Sequence, residues 1–185
     1  SDGDGLSDRA ESLVPHCNTD FPPRDSDEDG LYDAIDLDSD SNGIPDEREG
    51  PEDADLDGDG TPDFADLDDD GDNLTDAEEI GELPDAPPDT DRDRTADYRD
   101  IDSDGDLIRD EDEGNSDFDE DGLPNYQDLD SDGDEISDTE ESGDRDLDSI
   151  PVNTDCDEFF DFLDLDSDAD GLTDEFEWTH RGDLG

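Results

Sequence analysis

The chain has 185 residues, of which 71 are acidic and nine basic, every basic one an arginine, for a formal charge of −62. Only 25% of its residues are apolar, too few for one sizeable core, and this balance is ordinarily that of a disordered chain. Such charge argues against nucleic acid and anionic membrane surfaces, both of which need basic patches, and no stretch is long or apolar enough to cross a bilayer. Cations are the natural partners.

A twelve-residue acidic pattern runs along the chain, with oxygen-bearing residues at positions 1, 3, 5, 9 and 12. That spacing sets side-chain oxygens around one hard cation as in an EF-hand loop, with position 7 offering its backbone carbonyl. Residues 1–11 hold a partial copy, in which Asp2, Asp4, Leu6, Asp8 and Glu11 fit positions 3, 5, 7, 9 and 12. The chain therefore reads as a segment of a longer one. Residues 12–24 read as a linker, with Leu13, Val14, Pro15, Phe21, Pro22 and Pro23.

Ten complete copies follow, and in the ligand positions 1, 3, 5, 7, 9 and 12 each has the following residues. The first pair, 25–49, carries Asp25, Asp27, Asp29, Leu31, Asp33 and Asp36, then Asp38, Asp40, Asn42, Ile44, Asp46 and Glu49. The second, 55–79, carries Asp55, Asp57, Asp59, Thr61, Asp63 and Asp66, then Asp68, Asp70, Asp72, Leu74, Asp76 and Glu79. In the third, 89–113, they are Asp89, Asp91, Asp93, Thr95, Asp97 and Asp100, then Asp102, Asp104, Asp106, Ile108, Asp110 and Glu113. The fourth, 117–141, has Asp117, Asp119, Asp121, Leu123, Asn125 and Asp128, then Asp130, Asp132, Asp134, Ile136, Asp138 and Glu141. The fifth, 153–177, has Asn153, Asp155, Asp157, Phe159, Asp161 and Asp164, then Asp166, Asp168, Asp170, Leu172, Asp174 and Glu177. Residues 178–185 form a tail.

Position 12 is Asp in every first loop and Glu in every second, and one apolar residue (Leu37, Leu67, Ile101, Leu129 or Leu165) joins the two. The unit is therefore the pair, recurring at the period of solenoids and arrays. Glu reaches a cation bidentately, whereas Asp is one methylene shorter, so first loops differ in geometry or share that carboxylate with the next loop. Linkers at 50–51, 81–88, 114–115 and 142–151 carry turn and breaker residues. Apolar residues at position 7 and near positions 10 and 11 (Ile35, Phe64, Tyr98, Tyr126, Phe162) make a thin stripe suited to stacking and not to a central core.

Position 6 is Gly30, Gly43, Gly60, Gly122 or Gly171 in five loops, where a positive φ is expected, and Asn73 tolerates it. Arg94, Leu107, Glu135 and Glu158 fit that conformation poorly, which predicts distorted or weaker loops. Moving Gly71, Gly105 or Gly133 to position 6 would put Leu74, Ile108 or Ile136 at position 9, where none can ligate, so the register stands.

An all-oxygen donor set favours Ca2+, at about ten ions or more where ligands are shared; magnesium wants a compact octahedron, and zinc and copper want clustered His or Cys. Without cations the chain is expected to be a solvated polyanion, so folding and binding are one event. A ligand tenfold above Kd adds about 1.4 kcal/mol per site.

The junctions Asp63-Phe-Ala-Asp66-Leu-Asp68-Asp-Asp70 and Asp161-Phe-Leu-Asp164-Leu-Asp166-Ser-Asp168 resemble thrombospondin type 3 repeats, the bacterial surface-protein form most closely. The resemblance covers nearly all of residues 1–177. It implies an irregular, loop-dominated calcium-binding array, a solenoid with little helix or strand, wound around a row of calcium ions. The five ligand positions carry over to this chain directly. That family's animal members have many cysteines, while this chain has Cys17 and Cys156 alone. These two form a disulfide only if the array curves to bring their Cα atoms within roughly 7 Å; free thiols or a link to another subunit are the alternatives.

Arg181-Gly182-Asp183 matches an integrin-binding tripeptide and Asn73-Leu-Thr75 a glycosylation sequon inside a loop. His16 and His180 read as solvated polar residues. No pocket-building framework accompanies the carboxylates, so no enzyme is expected. The favoured function is an extracellular or cell-surface calcium-binding structural protein, a calcium-stiffened spacer or fibre-forming element. Copies of itself are then its end-to-end partners. An adhesion module binding a receptor or glycan, with Trp178 and Arg181 as contacts, is the alternative; an acidic protein acting on mineral is the third.

Overall fold

The structure, a computed structural model, describes residues 23–51, 53–81, 86–143 and 145–180. The expectations for Asp2, Asp4, Asp8 and Glu11, for most of the 12–24 linker, for Cys17 and for Arg181-Gly182-Asp183 lie outside these residues. The described chain is loop-dominated, with short helical turns and, among the described residues, no strand. Two compact units divide it. One takes the described residues up to Pro88 together with Thr95–Asp100, and the other takes Asp89–Arg94 and the described residues from Ile101 onward.

One turn geometry recurs in every loop. The N–H of position 9 donates to the carbonyl of the residue before position 1, as in Asp33 to Arg24 and Asp174 to Leu165, closing all ten loops at 2.6–3.2 Å. Inside, the N–H of position 5 donates to the position 3 carboxylate at 2.7–3.3 Å in all ten. The N–H of position 7 then donates to the position 5 side chain in nine, at 2.6–2.9 Å. Short acidic side chains that accept from the backbone two residues on replace the strand or helix ladder with consecutive turns. This is why so acidic a sequence folds without regular secondary structure.

Two such turns in succession drive the backbone into the left-handed region at positions 4 and 6. Position 6 is left-handed as expected at Gly30, Gly43, Gly60, Gly122, Gly171 and Asn73, and also at Arg94, Leu107 and Glu135, with φ from 75° to 105°. Glu158 departs from this pattern, since only Cys156 in its loop is left-handed. Position 4 is left-handed in every loop, at Glu28, Ser41, Gly58, Gly71, Arg92, Gly105, Glu120, Gly133, Cys156 and Ala169. Gly71 and Gly133 have a second reason to be glycine. A Cβ there would lie 2.9 and 2.8 Å from atoms of Asp57 and Asp119, the position 3 acids of their partner loops. The pair is thus a close-packed unit of two loops.

Residues at positions 9–11 of first loops form 3-10 turns: Asp33–Ile35, Asp63–Ala65, Asp97–Arg99, Asn125–Gln127 and Asp161–Leu163. Second loops close on α-helical turns instead: α1 (Asp46–Glu49), α2 (Asp76–Glu79), α3 (Asp110–Glu113), α4 (Asp138–Glu141) and the longer α5 (Asp174–His180). Each of α1 to α4 packs against the 3-10 turn that follows it in the chain. The aromatics Phe64, Tyr98, Tyr126 and Phe162 are buried in these contacts, while Ile35 is exposed. Position 7 divides largely by loop class: Ile44, Leu74, Ile108 and Ile136 of second loops are buried, and Leu31, Leu123 and Phe159 of first loops are exposed, as is Leu172 of the last second loop. In the first unit Ile44, Ile80 and Tyr98 form one cluster, so the apolar stripe runs between pairs. The joining leucines Leu37, Leu67, Leu129 and Leu165 are outside it, about half exposed.

An ion pair supplements the thin core of the first unit. The Arg99 guanidinium donates to Asp63 Oδ2 at 2.6 Å, Asp69 Oδ2 at 3.0 Å and the Glu49 carbonyl at 2.7 Å. Position 2 of the other second loops is serine (Ser39, Ser103, Ser131, Ser167), and only in this one is it an acid facing an arginine. Burial first, and then the Asp76 and Asp63 charges, push the Asp69 carboxyl up to about 9, and Arg99 offsets part of this. Arg99→Ala leaves Asp69 buried without its counter-ion and is expected to cost about 2–4 kcal/mol. The double variant with Asp69→Ser should recover much of that loss. Thermal unfolding in saturating calcium measures both, and equal melting temperatures for the two variants would refute the pairing.

Candidate metal centres

The turns just described aim one oxygen of every position 3 acid, and of the position 5 residue in nine loops, at the backbone, and in buried second loops they enclose the other, as at Asp70, Asp104, Asp106, Asp132 and Asp134. Positions 1, 3 and 5 consequently converge, as their spacing predicts. Carboxylate oxygens of Asp25, Asp27 and Asp29 lie within 4.8 Å of one another, as do those of Asp55, Asp57 and Asp59 and those of Asp68, Asp70 and Asp72.

In the first four pairs, first and second loops, alike in acid content, differ in burial; the second loop of the fifth pair, with Asp168 and Asp170 exposed, does not follow them. Asp55, Asp57 and Asp59 are solvent-exposed, whereas Asp40, Asn42, Asp70, Asp104, Asp106, Asp132 and Asp134 are buried. Glu49, Glu79 and Glu113, at position 12 of second loops, are buried with them. The helical turn at positions 9–12 produces the difference, because it lays the second loop against the following 3-10 turn. Position 12 of first loops has another use. Asp36 Oδ1 accepts the Leu37 and Asp38 N–H groups, and Asp66, Asp128 and Asp164 likewise cap the junction into the next loop. The shorter Asp suits that reach, and the longer Glu suits the interior.

Position 9 has a role that its residue type concealed. In nine loops its side chain accepts the position 2 N–H at 2.7–3.1 Å. The hydroxyls of Ser26, Ser39, Thr154 and Ser167 add a second bond to the same side chain. An acid at this position braces its own loop, and Asn125 does the same through Oδ1 to Phe118. No residue pattern read from the chain alone separates a brace from a ligand here.

The buried second-loop acids are electrostatically costly as they stand. Burial above all, and then the neighbouring acids, push Asp40 up to about 8 and Glu49 to about 10. The same causes raise Asp104 to about 9, Glu141 to about 9 and Glu113 well above the usual carboxylate range. In contrast, exposed Asp59 is lowered, by the Thr61 N–H. Several inward oxygens have no hydrogen-bond partner: Asp104 Oδ2, Asp106 Oδ2 and both Glu113 oxygens in one loop, and Asp132 Oδ2, Asp134 Oδ2 and Glu141 Oε2 in another. Buried carboxylate oxygens left unpaired cost several kcal/mol each. A single cation can satisfy three or four of them at once. The set is all oxygen and rich in carboxylate, which fits a hard divalent ion of calcium's size.

Two minor sites are placed as follows. Asn73 is at the left-handed position 6 of its loop, with its N–H donating to Asp68 Oδ2. Cys156 is exposed. Compared with known proteins, the chain matches no family model, no curated protein and no solved structure.

Proposed function

We propose that this chain is an extracellular or cell-surface calcium-binding structural protein, a repeat array of the thrombospondin type 3 kind in which calcium ions take the place of a core. The observation that carries the reading is the set of buried, unpartnered carboxylate oxygens at positions 3, 5 and 12 of second loops, seen most fully at Asp104, Asp106 and Glu113. Ten loops closed by the same backbone hydrogen bond supply about ten ions, and the exposed first loops form a second class of site with weaker hold on them. A chain stiffened in this way serves as a spacer or a fibre element, and copies of itself are the partners that fit end to end. Catalysis has no part in the reading.

Calorimetric calcium titration of the full chain, followed in parallel by circular dichroism, tests the metal. The expected result is ordering that coincides with uptake of roughly ten ions, in two affinity classes. Saturation without ordering, or a stoichiometry of one or two, would sink the proposal. Electron microscopy with calcium and with EGTA then separates fibre from isolated spacer.

One observation favours the adhesion alternative. Trp178 lines a 580 Å³ cavity with Ile136, Val152 and several acids. A glycan array probed in calcium would reveal such binding, and Trp178→Ala should abolish any signal seen.

A further inference from the structure

We propose that the position 9 carboxylate of a second loop also ligates the cation of the preceding pair, so that one ion is held by two pairs at once. This deepens the calcium reading and rests on it.

Asp76 carries the argument. Its Oδ1 accepts the Asp69 N–H of its own loop at 2.9 Å, while Oδ2 faces the second loop of the preceding pair, 2.8 Å from Asn42 Nδ2. Oxygens of Asp40, Glu49 and Asp76 lie within 4.8 Å of one another, and all three residues are buried. Glu49 is 1% exposed, and its Oε2 has no hydrogen-bond partner. The Ile44 N–H donates to Asn42 Oδ1, which turns Nδ2 toward the acids, 2.8 Å from Glu49 Oε1 and 3.2 Å from Asp40 Oδ2. Two neutral amide hydrogens do not compensate three buried carboxylates, and a divalent cation does.

Asp33, at position 9 of a first loop, is engaged differently. Both Asp33 oxygens are engaged by Ser26 of its own loop, each at 2.9 Å. In the second unit a contact also joins successive pairs, although both Asp138 oxygens lie within reach of the Ser131 N–H of its own loop. Thr139 Oγ1 donates to the Asp106 carbonyl at 2.8 Å, which seats the turn carrying buried Asp138 against the preceding pair's second loop. One pair further on, Glu141 and Asp174 line one cavity.

Native mass spectrometry of the full chain, titrated with calcium, counts the ions one by one. Asp76→Asn keeps the acceptor for the Asp69 N–H and removes the charge facing the preceding pair, together with the acceptor for Asn42 Nδ2. Asp76→Asn and Asp40→Asn should each hold one ion fewer than wild type, or bind it at least about tenfold more weakly. Asp33→Asn should keep the full count, and the Asp40→Asn/Asp76→Asn double variant should lose no more than either single. Near-ultraviolet circular dichroism in calcium checks that each variant folds. An undiminished count and affinity in Asp76→Asn, an equal loss in Asp33→Asn, or two ions lost in the double variant would overturn the bridging role. Wild type taking up no calcium would instead overturn the calcium reading itself.

Discussion

Stripped of divalent cations at pH 7.5, the full chain is expected to expand toward a radius of gyration of about 46 Å, that of an unfolded chain of 185 residues. Acidified to pH 3.5 without cations, it should contract again. The reasoning follows from the buried carboxyls. Burial raises Asp40 to about 8, Asp70 to about 8, Asp138 to about 8 and Glu141 to about 9 in the folded chain, against 3.8 to 4.5 when solvated. A group whose folded pKa lies above its unfolded value favours folding below the unfolded value, and that contribution is lost as pH rises through the folded one. The cation-free fold therefore weakens steadily from about pH 4 to about pH 9, and at neutral pH the self-repulsion of 71 acids adds to the loss. Calcium inverts this dependence, because the ligands must be ionised to bind, so the loaded chain should lose its ions and its order on acidification. Small-angle scattering across pH, with calcium and with EGTA, reads both limbs. A cation-free chain that stays compact at pH 7.5 and ignores acid would refute the account.

Much of this was legible in residue type and spacing. Alternate acids at positions 1, 3 and 5 foretold converging oxygens, while the scarcity of apolar residues foretold only that no single sizeable core would form. The alternation of Asp36, Asp66, Asp128 and Asp164 with Glu49, Glu79, Glu113 and Glu141 marked two loop classes, though as a difference of one methylene. In the fold the difference is one of burial. Burial was not legible, because it comes from packing a helical turn such as Asp76–Glu79 against the 3-10 turn Asp97–Arg99, and both loop classes carry the same acids. Left-handed backbone at position 4 was hidden for a related reason. Glu28, Ser41, Arg92 and Ala169 do not announce positive φ, and two successive side-chain-to-backbone turns impose it. The position 9 brace was concealed because an acid that accepts an amide and an acid that ligates a cation are the same residue.

Glu113→Gln should move the two forms of the protein in opposite directions. Glu113 is 4% exposed, and neither of its side-chain oxygens has a hydrogen-bond partner. Burial raises its pKa well above the usual carboxylate range, and the charges of Asp104, Asp106, Asp110 and Asp138 reinforce the shift. Without cations the compact state holds this group protonated against its ordinary tendency to ionise, a cost that grows with pH, so a neutral amide of the same shape should stabilise that state by up to about 1 kcal/mol at pH 5. With calcium the variant has lost a charged donor that reaches bidentately, and affinity at that site should fall by about a hundredfold. Asp128→Asn, at position 12 of a first loop, serves as the comparison. That acid caps the junction N–H of Asp130 at 3.1 Å, a bond an amide oxygen also accepts, so both effects should be small. Urea unfolding in EGTA at pH 5 and calorimetric titration at pH 7.5 supply the two readouts. A purely structural glutamate would destabilise both forms when replaced, and a solvated one would change neither. Only a carboxylate built into the interior for a cation gives the change of sign.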